Sequence, residues 1–204
     1  MNEIKPTKSI GVRTPLVDGP EKVSGKALYS ADFNPSDCLV GRIFRSPVSH
    51  AEIIDVDISA AQALPGVKAV ITGDETDETF GILPVARFEY PLARDKVRYK
   101  GEPVACVAAI DVETAQKAID LIKFKYKELP AYFTSQEAMA EGAVYIHDHR
   151  EGNIEREVDF ELGEVDEGFE AADFIMEETF NCAEIAQVQM EPHAAIAEYD
   201  PTRD

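Results

Sequence analysis

Two histidines separated by one residue, in His147-Asp148-His149, are the part of this sequence most like a ligand set. Imidazole nitrogens bind transition metals and move protons near neutral pH. No third ligand stands near them and the stretch is polar, so they read as surface residues. The second candidate is Gly101-Glu102-Pro103, at the centre of residues 93–111. A phosphate cradle needs several backbone N–H groups converging at a helix N-terminus, and here one glycine precedes a proline that has none. A strand-like run follows instead of a helix, so the tripeptide is predicted to be the turn between two strands, with Glu102 solvated. Thr134-Ser-Gln-Glu137 fits a capping box and marks a helix start. Glu155, Glu157, Asp159 and Glu161 alternate along a predicted strand and read as its solvated face, and Glu177-Glu178 reads the same way. There is no G-x-S-x-G, P-loop or Rossmann glycine pattern, and no nucleophile–base pair at readable spacing.

The elements that would position these residues follow from hydrophobic periodicity. Residues 39–45 and 52–57 are predicted to be paired strands. A short helix fits 59–64, with Ser59 as its cap, until Pro65-Gly66 stops it and 67–72 forms another strand. The pattern then begins again. Residues 96–99 alternate as a half-buried strand, and 104–110 is a continuous small apolar run, as in a strand buried on both faces. Asp111 can cap a helix whose Ala115, Ala118, Ile119 and Ile122 share one face, and residues 124–129 leave as a strand. Asp57 and Asp111 each open the form D-x-x-x-A-Q, a single repetition that chance explains as well as duplication does.

Composition bounds the partners. The 204 residues are 45% hydrophobic, enough for a core of ordinary size. A net charge of -19 repels nucleic acid and anionic membranes, so neither is expected as a partner. Cys38, Cys106 and Cys182 have no metal-like spacing and read as reduced, buried thiols. No secretion signal is visible and no run approaches eighteen apolar residues, so the expected location is the cytoplasm. The charge is uneven: residues 1–133 hold 19 acidic and 17 basic residues, whereas 134–204 hold 20 and 3. That shift marks a boundary in residues 134–154. The acidic part could serve a non-catalytic module that binds a basic protein surface.

A resemblance goes further. The run from Gly11 to Asp32 (GVRTPLVDGPEKVSGKALYSAD) resembles the opening of the molybdenum-binding large subunit of the xanthine dehydrogenase and aldehyde oxidase family. RSPVSHAEI at 45–53, PGVKAVITG at 65–73, VRYKGEPVA at 97–105 and QMEPHAAIAEYD at 189–200 resemble later parts of it, in order. The resemblance implies an α+β fold, an α/β-hammerhead domain followed by the first strands of a molybdenum-cofactor-binding domain. The implied division is an N-terminal extension at 1–19, the hammerhead at 20–133, a linker at 134–156 and an incomplete cofactor-binding part at 157–204.

Within the family, FGILPV at 80–85 and EYPLARDKVRY at 89–99 are most similar to 4-hydroxybenzoyl-CoA reductase, which removes the phenolic hydroxyl of an aromatic CoA thioester. The alternative implied is a molybdenum hydroxylase acting on an aldehyde or N-heterocycle, xanthine dehydrogenase-like. The implied cofactors are molybdopterin cytosine dinucleotide in the completed subunit, and [2Fe-2S] clusters and FAD in partner subunits. The implied partners are the remainder of the molybdenum subunit and the iron-sulfur and flavin subunits. The resemblance places the active-site glutamine, the G-G-G-F-G loop and the catalytic glutamate after Asp204, so this chain alone is expected to be inactive, with no catalytic residue and no metal ligand. Gln187 and Glu191 come nearest to the cofactor. Gln187 stands where family members often have histidine, and Glu191 is expected to hold neighbouring backbone. Residues 174–182 and 194–199 are expected to be strands whose open edges a companion chain covers.

Overall fold

The small apolar run after Pro103 becomes the central strand of a sheet, because only small side chains let both of its faces be covered closely. In the computed structural model, which describes residues 11, 13–82 and 87–202, this strand is β5 (Pro103–Ala109). Taking the strands in chain order, β1 (Val40–Arg45) and β3 (Val67–Thr72) flank β5, both antiparallel to it. A second sheet has β2 (Ala51–Asp57) at its centre, with β4 (Lys96–Val97) and β6 (Lys123–Glu128) antiparallel on either side. Helices α1 (Gly19–Ser24), α2 (Ser59–Gln62), α3 (Val112–Leu121), α4 (Ser135–Ala138) and α5 (Val165–Glu170) complete the elements used below. The described residues fall into two compact units, Cys38–Glu177 and a smaller one joining the residues up to Asp37 with those from Glu178 onward.

Helix α3 forms as its sequence requires. The Asp111 carboxylate accepts the Thr114 N–H at 2.7 Å, which satisfies one of the free amides of the first turn. Ala115 and Ala118 are fully buried, so α3 lies close on the sheet, and Ala61 of α2 joins the same cluster with Val70, Val107 and Ile122. The second cluster holds Ala51, Ala93, Val97 and Val104, and Phe44 and Val56 pack against both clusters. Phe44 meets Phe124 edge-on at 5.8 Å, closing the seam between the sheets.

Several sequence readings are corrected. Strands β1 and β2 follow each other but do not pair, because each finds its partner far along the chain. Helix α2 is capped by the carboxylate of Asp57, which accepts both the N–H and the hydroxyl of Ser59, at 3.0 and 2.5 Å. Strand β4 is only two residues long, since the Arg98 N–H turns away from the ladder to the Glu102 carboxylate. The expected strands at 155–161, 174–182 and 194–199 are irregular, because no described segment hydrogen-bonds alongside them as a ladder. Residues 1–10 and 12 of the N-terminal reading, and 83–85 of the reductase-like run, lie outside the described residues.

Candidate functional site

The Gly101 turn is built as expected, and Glu102 is not. Gly101 has φ +92°, the left-handed region that glycine enters without strain. The turn is pinned from the side: the Ser46 N–H donates to Glu102 O at 2.9 Å, Gly101 N–H to Ser46 O at 2.9 Å, and the Arg45 guanidinium to Gly101 O at 2.8 Å. This pinning folds the Glu102 side chain inward, where it is 14% exposed, accepts the Arg98 N–H and faces the Arg98 guanidinium at 3.9 Å. Burial pushes its carboxyl above the ordinary 4.5, against the pull of the Arg98 amide and charge. The carboxylate expected to be solvated at the turn is therefore mostly withdrawn from water.

A cavity of about 560 Å³ opens beside this turn, lined by Phe88, Tyr90, Arg98, Tyr99, Glu102 and His147 among others. The histidine pair belongs to it. His147 and His149 stand edge-on to the Phe88 ring, at centroid distances of 5.2 and 4.5 Å, and 5.7 Å from each other. Arg150 lies over the same ring at 5.3 Å. Asp148, between them, points to Lys96 of β4, whose ammonium donates to its carboxylate at 2.6 Å and to Tyr145 O at 3.0 Å. Arg98 donates to Ile146 O at 3.1 Å. His147 is thus a half-buried packing residue, while His149 is exposed as expected, with its ring against Phe88. Among the described residues no three His, Cys, Asp or Glu side chains converge as a metal site.

Asn153 completes this arrangement. Its Oδ1 accepts the Ile146 N–H at 2.7 Å, while Nδ2 donates to Ala138 O and Val144 O at 2.8 and 3.1 Å. Thr134 caps α4 by accepting the Glu137 N–H at 3.2 Å, and the Glu137 carboxylate reaches back to the Phe133 N–H. Phe88, Lys96, Arg98 and Asn153 escaped the sequence reading. Only Asn153 carried a local signal, since Asn after Gly152 favours the left-handed backbone it adopts, φ 58°.

In the smaller unit, Gln187 and Glu191 are both exposed. The Glu191 carboxylate accepts the backbone N–H of Ser30, distant in sequence, at 3.3 Å. As they stand, these two side chains do not make a seat for a pterin. The cysteines are also corrected: Cys38 and Cys182 are exposed and Cys106 is half-buried, its thiol pushed up by burial. No helix among the described residues is long and apolar enough to cross a membrane.

Comparison with known proteins adds what the geometry lacks. Residues 24–130 match the family described as aldehyde oxidase and xanthine dehydrogenase, a/b hammerhead domain. Residues 146–204 match the molybdopterin cofactor-binding domain. The nicotinate dehydrogenase large molybdopterin subunit of Eubacterium barkeri is 36% identical over 193 residues, 94% of this chain and 44% of that protein. A probable xanthine dehydrogenase subunit of Bacillus subtilis is 36% identical over 182 residues, 88% of this chain and 24% of that protein. Among solved structures, aldehyde oxidoreductase from Desulfovibrio gigas aligns with a TM-score of 0.60 at 31% identity, over 66% of this chain and 16% of that one. Quinoline 2-oxidoreductase from Pseudomonas putida 86 aligns with a TM-score of 0.60 at 36% identity, over 70% and 19%. The chain spans less than half the length of each of these relatives.

Proposed function

The chain belongs to the aldehyde oxidase and xanthine dehydrogenase family, with an α/β-hammerhead domain followed by the start of a molybdopterin cofactor-binding domain, and from this we propose that it serves a molybdenum hydroxylase as the N-terminal part of its molybdenum subunit. The proposed substrate is an aldehyde or an N-heterocycle. The observation that carries this is the match over 94% of the chain to a nicotinate dehydrogenase subunit, with a xanthine dehydrogenase subunit beside it. This reading replaces the 4-hydroxybenzoyl-CoA reductase one. That resemblance rests on short runs in the hammerhead, which names no substrate pocket, and residues 83–85 of it lie outside the described part.

The remaining functional readings are proposals on the same footing. The hammerhead is taken as 20–133, with 134–156 joining it to the cofactor-binding part at 157–204. A molybdenum-pterin group, when bound, supplies the two-electron redox chemistry; its form is proposed to be the cytosine dinucleotide. Gln187 and Glu191 are proposed to lie behind the residues that hold it, Glu191 fixing backbone as it fixes the Ser30 amide. The seat itself needs further polypeptide. Large apolar side chains support this: within the smaller unit Phe180 and Met190 are 86% and 100% exposed, and another segment has to cover them. The partners are proposed to be that remaining part of the molybdenum subunit and subunits carrying [2Fe-2S] clusters and FAD, in the cytoplasm.

The test is an assay of the complex that contains this chain. With an artificial electron acceptor, oxidation of nicotinate, xanthine or an aromatic aldehyde is expected. Inactivity toward all three, with reduction of 4-hydroxybenzoyl-CoA by a reduced donor, would overturn the hydroxylase reading.

A further inference from the structure

The segment that joins the two matched domains is held on the hammerhead by ion pairs, hydrogen bonds and ring packing. Residues 144–155 dock on β4 and Phe88 through the Lys96–Asp148 pair, the Arg98 bond to Ile146 O, and the packing of His147, His149 and Arg150 on the Phe88 ring. His147 is half-buried between rings and guanidinium groups. The charged and titratable groups around it are Arg87, Arg98, Arg150 and His149, and the carboxylates Asp148, Glu155, Glu102 and Glu89. Three of these carboxylates already have cations of their own. Asp148 takes Lys96 at 2.6 Å, Glu155 takes Arg150 at 2.8 Å, and Glu102 faces Arg98 at 3.9 Å. Glu89 is exposed and its backbone pairs with Phe80. These pairs offset one another and Glu89 stands in solvent, so the main cost of a proton on His147 is the burial of its charge edge-on against the Phe88 ring.

We propose that His147 is a proton-operated catch on the joint between the hammerhead and the cofactor-binding part: neutral, it keeps residues 144–155 seated; protonated, it lets them lift. The catch is independent of the redox reaction and of the substrate. Burial first, then the Arg98 charge, with smaller contributions from His149 and Arg150, hold the seated imidazole below its ordinary 6.5, and Glu155 opposes them weakly. The lifted ring regains its ordinary affinity. Protons then favour the lifted form, so seating is complete above about pH 6.5 and is lost as pH falls from there toward the lower value of the seated ring. Glu102 titrates in the opposite sense, because its raised carboxyl favours the packed, protonated form as pH falls.

The experiment is amide hydrogen exchange by NMR on the 204-residue chain, corrected for intrinsic rates, at about pH 7.5 and about pH 5. The reporter is the Val144 amide, which donates to Tyr132 Oη at 2.8 Å and so ties the segment to a residue outside it. Its protection is expected to fall at the lower pH, while β5 amides hold. His147→Phe keeps a ring against Phe88 but takes no proton, and should abolish the fall. Equal protection at both pH values in the unaltered chain, or a fall that persists in His147→Phe, would overturn the proposal. Should that variant fail to fold, the imidazole titration of the unaltered chain decides. A His147 midpoint below 6.5 that coincides with loss of Val144 protection supports the catch, and a midpoint at or above 6.5 overturns it.

Discussion

Glu102 shows how a residue can be read correctly in its backbone and wrongly in its side chain. The glycine and proline around it signalled a turn, and the turn is there. Its burial came from Arg45 and Ser46, more than fifty residues earlier, and no local pattern carries that information. Two substitutions follow. Glu102→Ala leaves the Arg98 amide without its acceptor inside the fold and is expected to cost about 1–3 kcal/mol, read as a lower denaturation midpoint. Glu102→Gln keeps an acceptor oxygen and removes the titration. The raised carboxyl contributes stability that is full below 4.5 and lost as pH rises through its higher folded value. Wild type should therefore gain on the Gln variant as pH falls toward 4.5. A stability difference that does not change with pH would refute the burial argument. His147 was misread for a similar reason: Phe88 lies about sixty residues before it, and only folding brings the rings together.

At the scale of elements, the readable parts were those with a local cause. Helix α3 declared its cap at Asp111 and its buried face at Ala115 and Ala118, and β5 its burial in the run of small apolar residues. The shared D-x-x-x-A-Q form has a physical basis: Asp57 and Asp111 each accept amides at a helix start, while Ala61 and Ala115, both fully buried, sit in one cluster where α2 and α3 approach. Strand pairing was not readable, since β1 meets β5 and β2 meets β6 across most of the hammerhead sequence. The close approach at the end of β3 was also silent. A Cβ on Gly73 would lie 2.5 Å from Ala93 O, a backbone atom that cannot swing aside. Gly73→Ala is therefore expected to destabilise the chain by about 1–3 kcal/mol, as overpacking does. A melting temperature equal to wild type would show that the 93–94 segment yields freely.

For the whole molecule, the charge shifts near residue 134, and the family matches cover residues 24–130 and 146–204. The hammerhead buries two core clusters of its own, while the residues after 157 keep Phe160, Leu162, Phe174 and Phe180 in solvent. Alternation in those residues predicted strands, but a strand exists only beside a hydrogen-bonded neighbour, and the described residues offer none. The central claim is that this chain works within a molybdenum hydroxylase as part of its molybdenum subunit. The most direct measurement is the native mass and molybdenum content of the complex that the chain enters in its own extract. Molybdenum in an assembly well above 22.5 kDa, together with polypeptide that completes the cofactor-binding domain, is the predicted result. A stable, folded, metal-free monomer of 22.5 kDa in that extract would contradict it.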